Sequence, residues 1–75
     1  MTAWGIYWAP SGSPAAFLVQ RWEGEPGKRP RSDAPTFAAT LDLARAVVPA
    51  GLERHEPAGS GDESPLLIET WRLPA

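Results

Sequence analysis

The sequence predicts a small α+β protein with two layers, a mainly antiparallel sheet of three or four strands and one short helix packed on one face of it. Three observations predict this fold. Only residues 40–51 have the apolar spacing of a helix, the apolar segments on either side alternate as strands do, and proline and glycine clusters separate them. The expected element order is β-β-α-β, or β-β-α-β-β if residues 52–56 also pair. We expect one domain of 75 residues with flexible loops at 24–35 and 57–65.

The first two strands are predicted to form a hairpin. Residues 3–9 and 16–22 are apolar and alternate in the manner of strands, and the turn-forming run 10–14 lies between them. A loop of these five residues fixes which side chains face each other across the hairpin. The predicted pairs are Trp8 with Ala16, Ile6 with Leu18, Trp4 with Gln20, Tyr7 with Phe17, and Gly5 with Val19.

The middle of the chain is predicted to be a charged loop that leads into the helix. Residues 24–27 have the composition of a turn. Residues 28–31 are interpreted as an exposed arm or a short edge segment, because Pro30 is unsuited to a central strand. A brief extended piece is expected at 36–38.

The helix has two candidate starts. Thr40 is the favoured N-cap, because Asp42 then lies in the first turn, where a negative charge is stabilised by the helix dipole. The alternative is a cap at Asp33, with Pro35 inside the first turn. In both cases the helix ends at the run 49–51, which contains a proline and a glycine.

The last strand is predicted at residues 66–73. A short edge strand at 52–56 is compatible with the sequence, and its charged side chains would discourage pairing with other chains.

Composition restricts the classes of function. The chain has no cysteine and a single histidine, His55, which excludes disulfides and cysteine chemistry and makes a metal centre improbable. No apolar run approaches the roughly 20 residues of a membrane span, and the N-terminal residues do not resemble a signal peptide. We therefore expect a cytoplasmic protein with no membrane attachment, no cofactor and no metal.

The predicted strands are apolar on both faces, whereas one short helix covers only one face. An uncovered apolar face usually marks an interface, so we expect the chain to bind a second copy of itself or another protein there. The alternative is that the loops at 24–36 and 57–65 fold back over this face. The candidate interface consists of Tyr7, Phe17, Val19, Leu67, Trp71 and Leu73.

A second hypothesis is weak binding of nucleic acid or phosphate by a group of cations beside an aromatic side chain. The net charge of −2 makes nucleic acid an improbable partner, since such binders are usually basic. The candidate basic patch consists of Arg21, Trp22, Lys28, Arg29 and Arg31.

An enzymatic function ranks third. Glu53, His55 and Glu56 form the one acid–base group in the sequence, and Glu53 and His55 would share a face of a strand. No nucleophile or second histidine accompanies them, and the glycines form no phosphate-binding motif. The sequence therefore predicts a non-enzymatic interaction module.

Overall fold

The computed structural model describes residues 2–25, 27–57 and 66–74. In these ranges the chain forms an α+β fold with one short helix, α1 (Leu41–Val47), and an antiparallel sheet, as predicted. The strands of the sheet are β1 (Thr2–Trp8), β2 (Phe17–Glu23), β3 (Arg31–Ser32), β4 (Thr36–Ala38), β5 (Glu53–His55) and β6 (Leu67–Arg72).

The sheet has the strand order β3-β2-β1-β6-β5, so β1 is central, and β4 also pairs with β2. The outer edge of β2 is shared, with β4 beside Phe17–Val19 and β3 beside residues 22–23. The prediction of three or four strands is wrong, because six form within the described residues. Strands of two and three residues such as β3 and β4 are too short to show the alternation by which a strand is identified in a sequence.

The hairpin of β1 and β2 has a different register from the predicted one. Trp8 pairs with Phe17 and Ile6 with Val19. The Ala9 N–H donates to the Ala16 carbonyl at 2.9 Å, so six residues rather than five lie in the loop. One additional loop residue moves every pair by one position, and a shift of one residue exchanges the faces of a strand.

A bulge in β6 separates side chains that a regular strand would place together. Gly5 and Ile6 pair with Thr70 and Glu69, but the next residue, Tyr7, pairs with Leu67. Ile68 is therefore an additional residue opposite β1, and it packs against the core on the side of the helix, where Glu69 also lies.

The helix begins where the favoured cap predicted. The Thr40 hydroxyl accepts a hydrogen bond from the Leu43 N–H at 3.1 Å. The alternative start at Asp33 is wrong, since residues 36–38 form β4. At the other end the Val48 N–H donates to the Arg45 carbonyl, and Gly51 adopts a φ of 89°, a conformation that glycine favours.

The core lies between α1 and the sheet and is small. Ile6, Val19, Ala38 and Ala44 are its buried apolar residues among those described. Seven partly buried residues pack around them: Trp4, Phe17, Leu41, Val47, Val48, Ile68 and Trp71. Two alanines and two aliphatic side chains bury little apolar surface, so a domain of this size has limited stability of its own.

The predicted loops differ in how much of them the structure describes. The segment 24–35 contains β3 and a turn in which the Lys28 N–H donates to the Glu25 carbonyl at 3.1 Å. Of the predicted loop at 57–65, positions 58–65 lie outside the described residues.

Candidate protein interface

The face of the sheet opposite α1, here called the open face, presents three rows of side chains. The strand registers define which residues lie side by side. The row nearest the hairpin loop is apolar or aromatic and contains Phe37, Leu18, Tyr7 and Leu67. The middle row contains Gln20, Gly5, Thr70 and His55. The third row contains Ser32, Trp22, Ala3, Arg72 and Glu53.

Tyr7 and Trp22 form the aromatic centre of the open face. The Trp22 indole Nε1–H donates to the Tyr7 hydroxyl at 3.0 Å. The ring of Tyr7 lies over Gly5, where an added Cβ would be only 2.7 Å from the ring carbon Cε1. Glycine at position 5 therefore permits the ring to lie against the backbone of the central strand. The hydrogen bond then holds the two aromatic side chains together.

Formal charge on the open face is confined to one corner. Within its three rows the acidic and basic residues are Glu53 and Arg72, which are cross-strand partners on β5 and β6. The remainder of the face is neutral, although 21% of the residues in the chain are charged. A surface with little formal charge and several aromatic side chains has the composition typical of the central part of protein–protein interfaces.

The structure does not bring the six predicted interface residues onto one face. Tyr7 and Leu67 lie on the open face. Val19 is in the core, and Phe17 and Trp71 pack against that core on the side of the helix. The cause is the hairpin register for Phe17 and Val19 and the β6 bulge for Trp71.

Leu73 follows β6 and is 72% exposed. The large apolar and aromatic residues of the open face that the predicted set lacks are Leu18, Trp22 and Phe37. A correct length for the hairpin loop would have identified Leu18 and Trp22.

The predicted basic patch is divided among three places. The Arg21 guanidinium pairs with Glu23 at 2.6 Å and with Asp33 at 3.0 Å, on the side of the sheet that carries the helix. Trp22 belongs to the open face. The other three members, Lys28, Arg29 and Arg31, line a cleft of about 320 Å³ together with Glu23, Gly24 and Glu25.

The cations of this cleft differ in their partners. Lys28 Nζ lies 3.3 Å from the Glu25 carboxylate. Arg29 and Arg31 are exposed, and neither forms an ion pair with any residue in the described part of the chain. Two unpaired guanidinium groups at one concave surface are suited to contact with phosphate or carboxylate oxygens.

A buried carboxylate on the helix side links three elements of the fold. Glu69 on β6 is fully buried. Arg45 on α1 binds it with both Nε (3.1 Å) and Nη2 (2.8 Å), and Arg54 on β5 donates from Nε at 3.4 Å. The Trp71 indole N–H adds a fourth hydrogen bond at 2.6 Å. These contacts attach the helix and the edge strand β5 to the sheet, so we assign Glu69 a structural role.

The hydrogen bonds decide the charge state of Glu69. Burial by itself raises the pKa of this carboxyl group, but the bonds from Arg45 and Trp71 outweigh it, and the pKa is lowered below its usual value. The guanidinium of Arg45 has a raised pKa, chiefly because of its hydrogen bond to Glu69. Glu69 is therefore ionised at neutral pH despite its burial.

The predicted acid–base group lies on the edge strand β5 and immediately after it. Glu53 and His55 share a face, as expected for alternate residues of a strand, and the Glu56 carboxylate accepts a hydrogen bond from Arg54. No group of three potential metal-binding side chains occurs among the residues that the structure describes. In the same ranges, no helix has the length and apolar character needed to cross a membrane.

No protein-family model matches this chain. Comparison with curated proteins gives no match, and comparison with solved structures gives none.

Proposed function

We propose that this chain is a non-enzymatic cytoplasmic interaction module that forms a homodimer through the open face. The observation that carries the proposal is the composition of that face. It has an apolar row across β4, β2, β1 and β6 and a hydrogen-bonded Tyr7–Trp22 pair, and its formal charge is confined to one corner. Aromatic side chains of this type are enriched among the residues that contribute most to binding energy.

A second copy of the chain is the partner that this face fits. A neutral apolar surface can meet an identical surface without bringing like charges together, whereas a charged face would repel its copy. The small core supplies a further reason, because natural domains of this size commonly gain stability from a partner subunit. The cysteine-free sequence has no disulfide to serve instead.

The dimensions of the open face indicate a weak dimer. Five strands at about 4.8 Å spacing and three rows along them give roughly 500 Å² for each copy, or about 1,000 Å² in total. Interfaces of that area belong to the weak, transient class. We therefore expect a dissociation constant in the micromolar range.

Sedimentation equilibrium tests this proposal. We expect the wild-type chain to be a dimer at about 500 μM and to dissociate on dilution. Leu18→Asp adds a charge to the apolar row and should leave a monomer. Leu43→Asp is the matched control, because Leu43 lies on α1 and is 56% exposed, so its variant should dimerise as the wild type does. Circular dichroism verifies that both variants fold, and a wild-type monomer at the highest concentration would refute the proposal.

A second candidate function is the binding of phosphate or single-stranded nucleic acid in the cleft. The supporting observation is the position of Arg29 and Arg31, which are exposed and unpaired among the described residues and line the same concave surface. Titration with inorganic phosphate and with a short oligonucleotide, followed by amide NMR shifts, distinguishes the two ligands. We expect salt-sensitive shifts confined to residues 23–31 that Arg29→Ala abolishes. Unchanged shifts with both ligands would exclude this function.

A further inference from the structure

We infer that the two copies are related by a two-fold axis parallel to β1, which places Leu18 of each copy against Leu67 of the other. The inference rests on the proposed homodimer and specifies its geometry. It follows from the arrangement of residues on the two sides of the central strand.

In each row of the open face, the two side chains that flank β1 can form a favourable contact with each other. Tyr7 pairs with Leu18 on one side and with Leu67 on the other. At the next level Gly5 has Gln20 and Thr70 on its two sides, and Ala3 has Trp22 and Arg72. Each level thus carries two residues of compatible chemistry at equal distances from the central strand. The three flanking pairs are Leu18 and Leu67, Gln20 and Thr70, and Trp22 and Arg72.

Rotation by 180° about an axis along β1 exchanges the two sides and keeps each level. Leucine then meets leucine, an amide meets a hydroxyl, and the guanidinium of Arg72 meets the indole of Trp22 in the second copy. Each contact occurs twice, as a two-fold interface requires. Arginine over an indole ring is a favourable cation–π contact, and in this arrangement it forms on both sides of β1, which gives Arg72 a partner in the second copy.

A two-fold axis perpendicular to the strands gives a poorer match. It would exchange the first and third rows, so Leu67 would meet Arg72 and Phe37 would meet Ser32 of the second copy. A guanidinium against a leucine loses its water without gaining a partner, which is unfavourable. Polarity therefore selects the axis along β1.

The selected arrangement agrees with the usual packing of sheets. Stacked sheets keep their strand directions within about 30° of each other, at a separation of about 10 Å. A rotation of that size displaces a middle-row residue one strand from β1 by about 2.5 Å, and a residue of the first or third row, about 8 Å from the rotation centre, by about 4 Å. The flanking pairs all lie one strand from β1, so twist displaces them by less than one strand spacing.

Mixing two variants of opposite charge tests whether the two-fold axis runs along β1. Leu18→Asp and Leu67→Lys should each weaken self-association at least about ten-fold, since each places an unpaired charge in the interface. An equimolar mixture should form a one-to-one heterodimer, because the carboxylate at 18 then faces the ammonium at 67 across the axis and the unmodified leucines face each other. Native mass spectrometry of the mixture, with a mass-labelled partner, measures the heterodimer directly.

Two controls make the result specific. Leu43→Asp mixed with Leu67→Lys brings the same charges together at unrelated positions and should not form the heterodimer preferentially. Gln20→Glu and Thr70→Lys repeat the test in the middle row and replace only polar side chains, so they serve if the leucine variants do not fold. A wild-type dimer whose variant mixtures give no preferred heterodimer would overturn the axis alone, whereas a wild-type monomer would overturn the proposed function.

Discussion

Among the described residues, Glu69 is the charged residue that lies fully buried. It is a carboxylate at a fully buried position, held by two arginines and an indole. Charge-assisted hydrogen bonds contribute about 1.5–3 kcal/mol each. Glu69→Gln should therefore lower the free energy of unfolding by about 2 kcal/mol, measured by urea denaturation. Glu25→Gln removes an exposed carboxylate that pairs with Lys28 and should change it by less than about 0.5 kcal/mol. Equal effects of the two substitutions would contradict the assigned structural role.

The lowered pKa of Glu69 also predicts sensitivity to acid. The pKa of this group is lower in the folded chain than in the unfolded chain, so between these two values the unfolded state binds more protons and stability falls as the pH falls. The contribution of Glu69 is complete above about pH 5.5 and is lost as the pH decreases through the folded-state pKa. Urea denaturation between pH 7 and pH 3 should show a steeper loss for the wild type than for Glu69→Gln. Parallel curves would show that other carboxylates control acid unfolding.

Gly5 is the residue on which the aromatic centre of the open face depends. A Cβ at this position would lie 2.7 Å from the Tyr7 ring, so Gly5→Ala forces the ring away from the backbone and weakens its hydrogen bond with Trp22. We expect a loss of about 1–2 kcal/mol in stability and a weaker dimer. Gly24→Ala is the matched control, because an added Cβ there meets no atom of the described residues within 4 Å. A Gly5→Ala variant with wild-type stability and an unchanged Trp22 side-chain NMR signal would contradict this role.

At the scale of elements, the short helix α1 depends for part of its stability on its N-cap, Thr40. α1 has seven residues, a length at which a helix is marginal without tertiary contacts. Thr40→Ala removes the side-chain acceptor of the Leu43 N–H and should reduce stability by about 1 kcal/mol, whereas Thr40→Ser should retain most of it. Thermal unfolding followed at 222 nm measures both. A serine variant as unstable as the alanine variant would show that the hydroxyl bond is not the source of the effect.

The elements also show what the sequence could predict. The helix and its cap at Thr40, the extended piece at 36–38 and the antiparallel α+β arrangement follow from local patterns, and the structure confirms them. The faces of the strands depend on features that local patterns do not specify. One additional residue in the 10–15 loop and one bulge at Ile68 decided which side chains face the helix. Membership of the open face was therefore predicted only in part, and Glu69 was not identified, because its partners come from two separate elements.

At the scale of the whole molecule, the small core and the open face together predict that stability depends on concentration. A second copy that binds only the folded chain stabilises it by mass action. Raising the protein concentration 100-fold, from about 5 to 500 μM, should raise the unfolding midpoint by at least about 5 °C for a domain of this size. Scanning calorimetry at several concentrations measures the shift.

Two variants show whether the concentration dependence of the unfolding midpoint arises from the open face. Leu18→Asp should unfold at one temperature throughout the concentration series, because its monomer gains nothing from mass action. Leu43→Asp should retain the wild-type dependence, since its side chain lies on α1 and outside the open face. A midpoint that stays constant for the wild type would mean that the folded monomer is stable with its open face in water. The apolar row and the Tyr7–Trp22 pair would then be partly buried components of a monomeric fold.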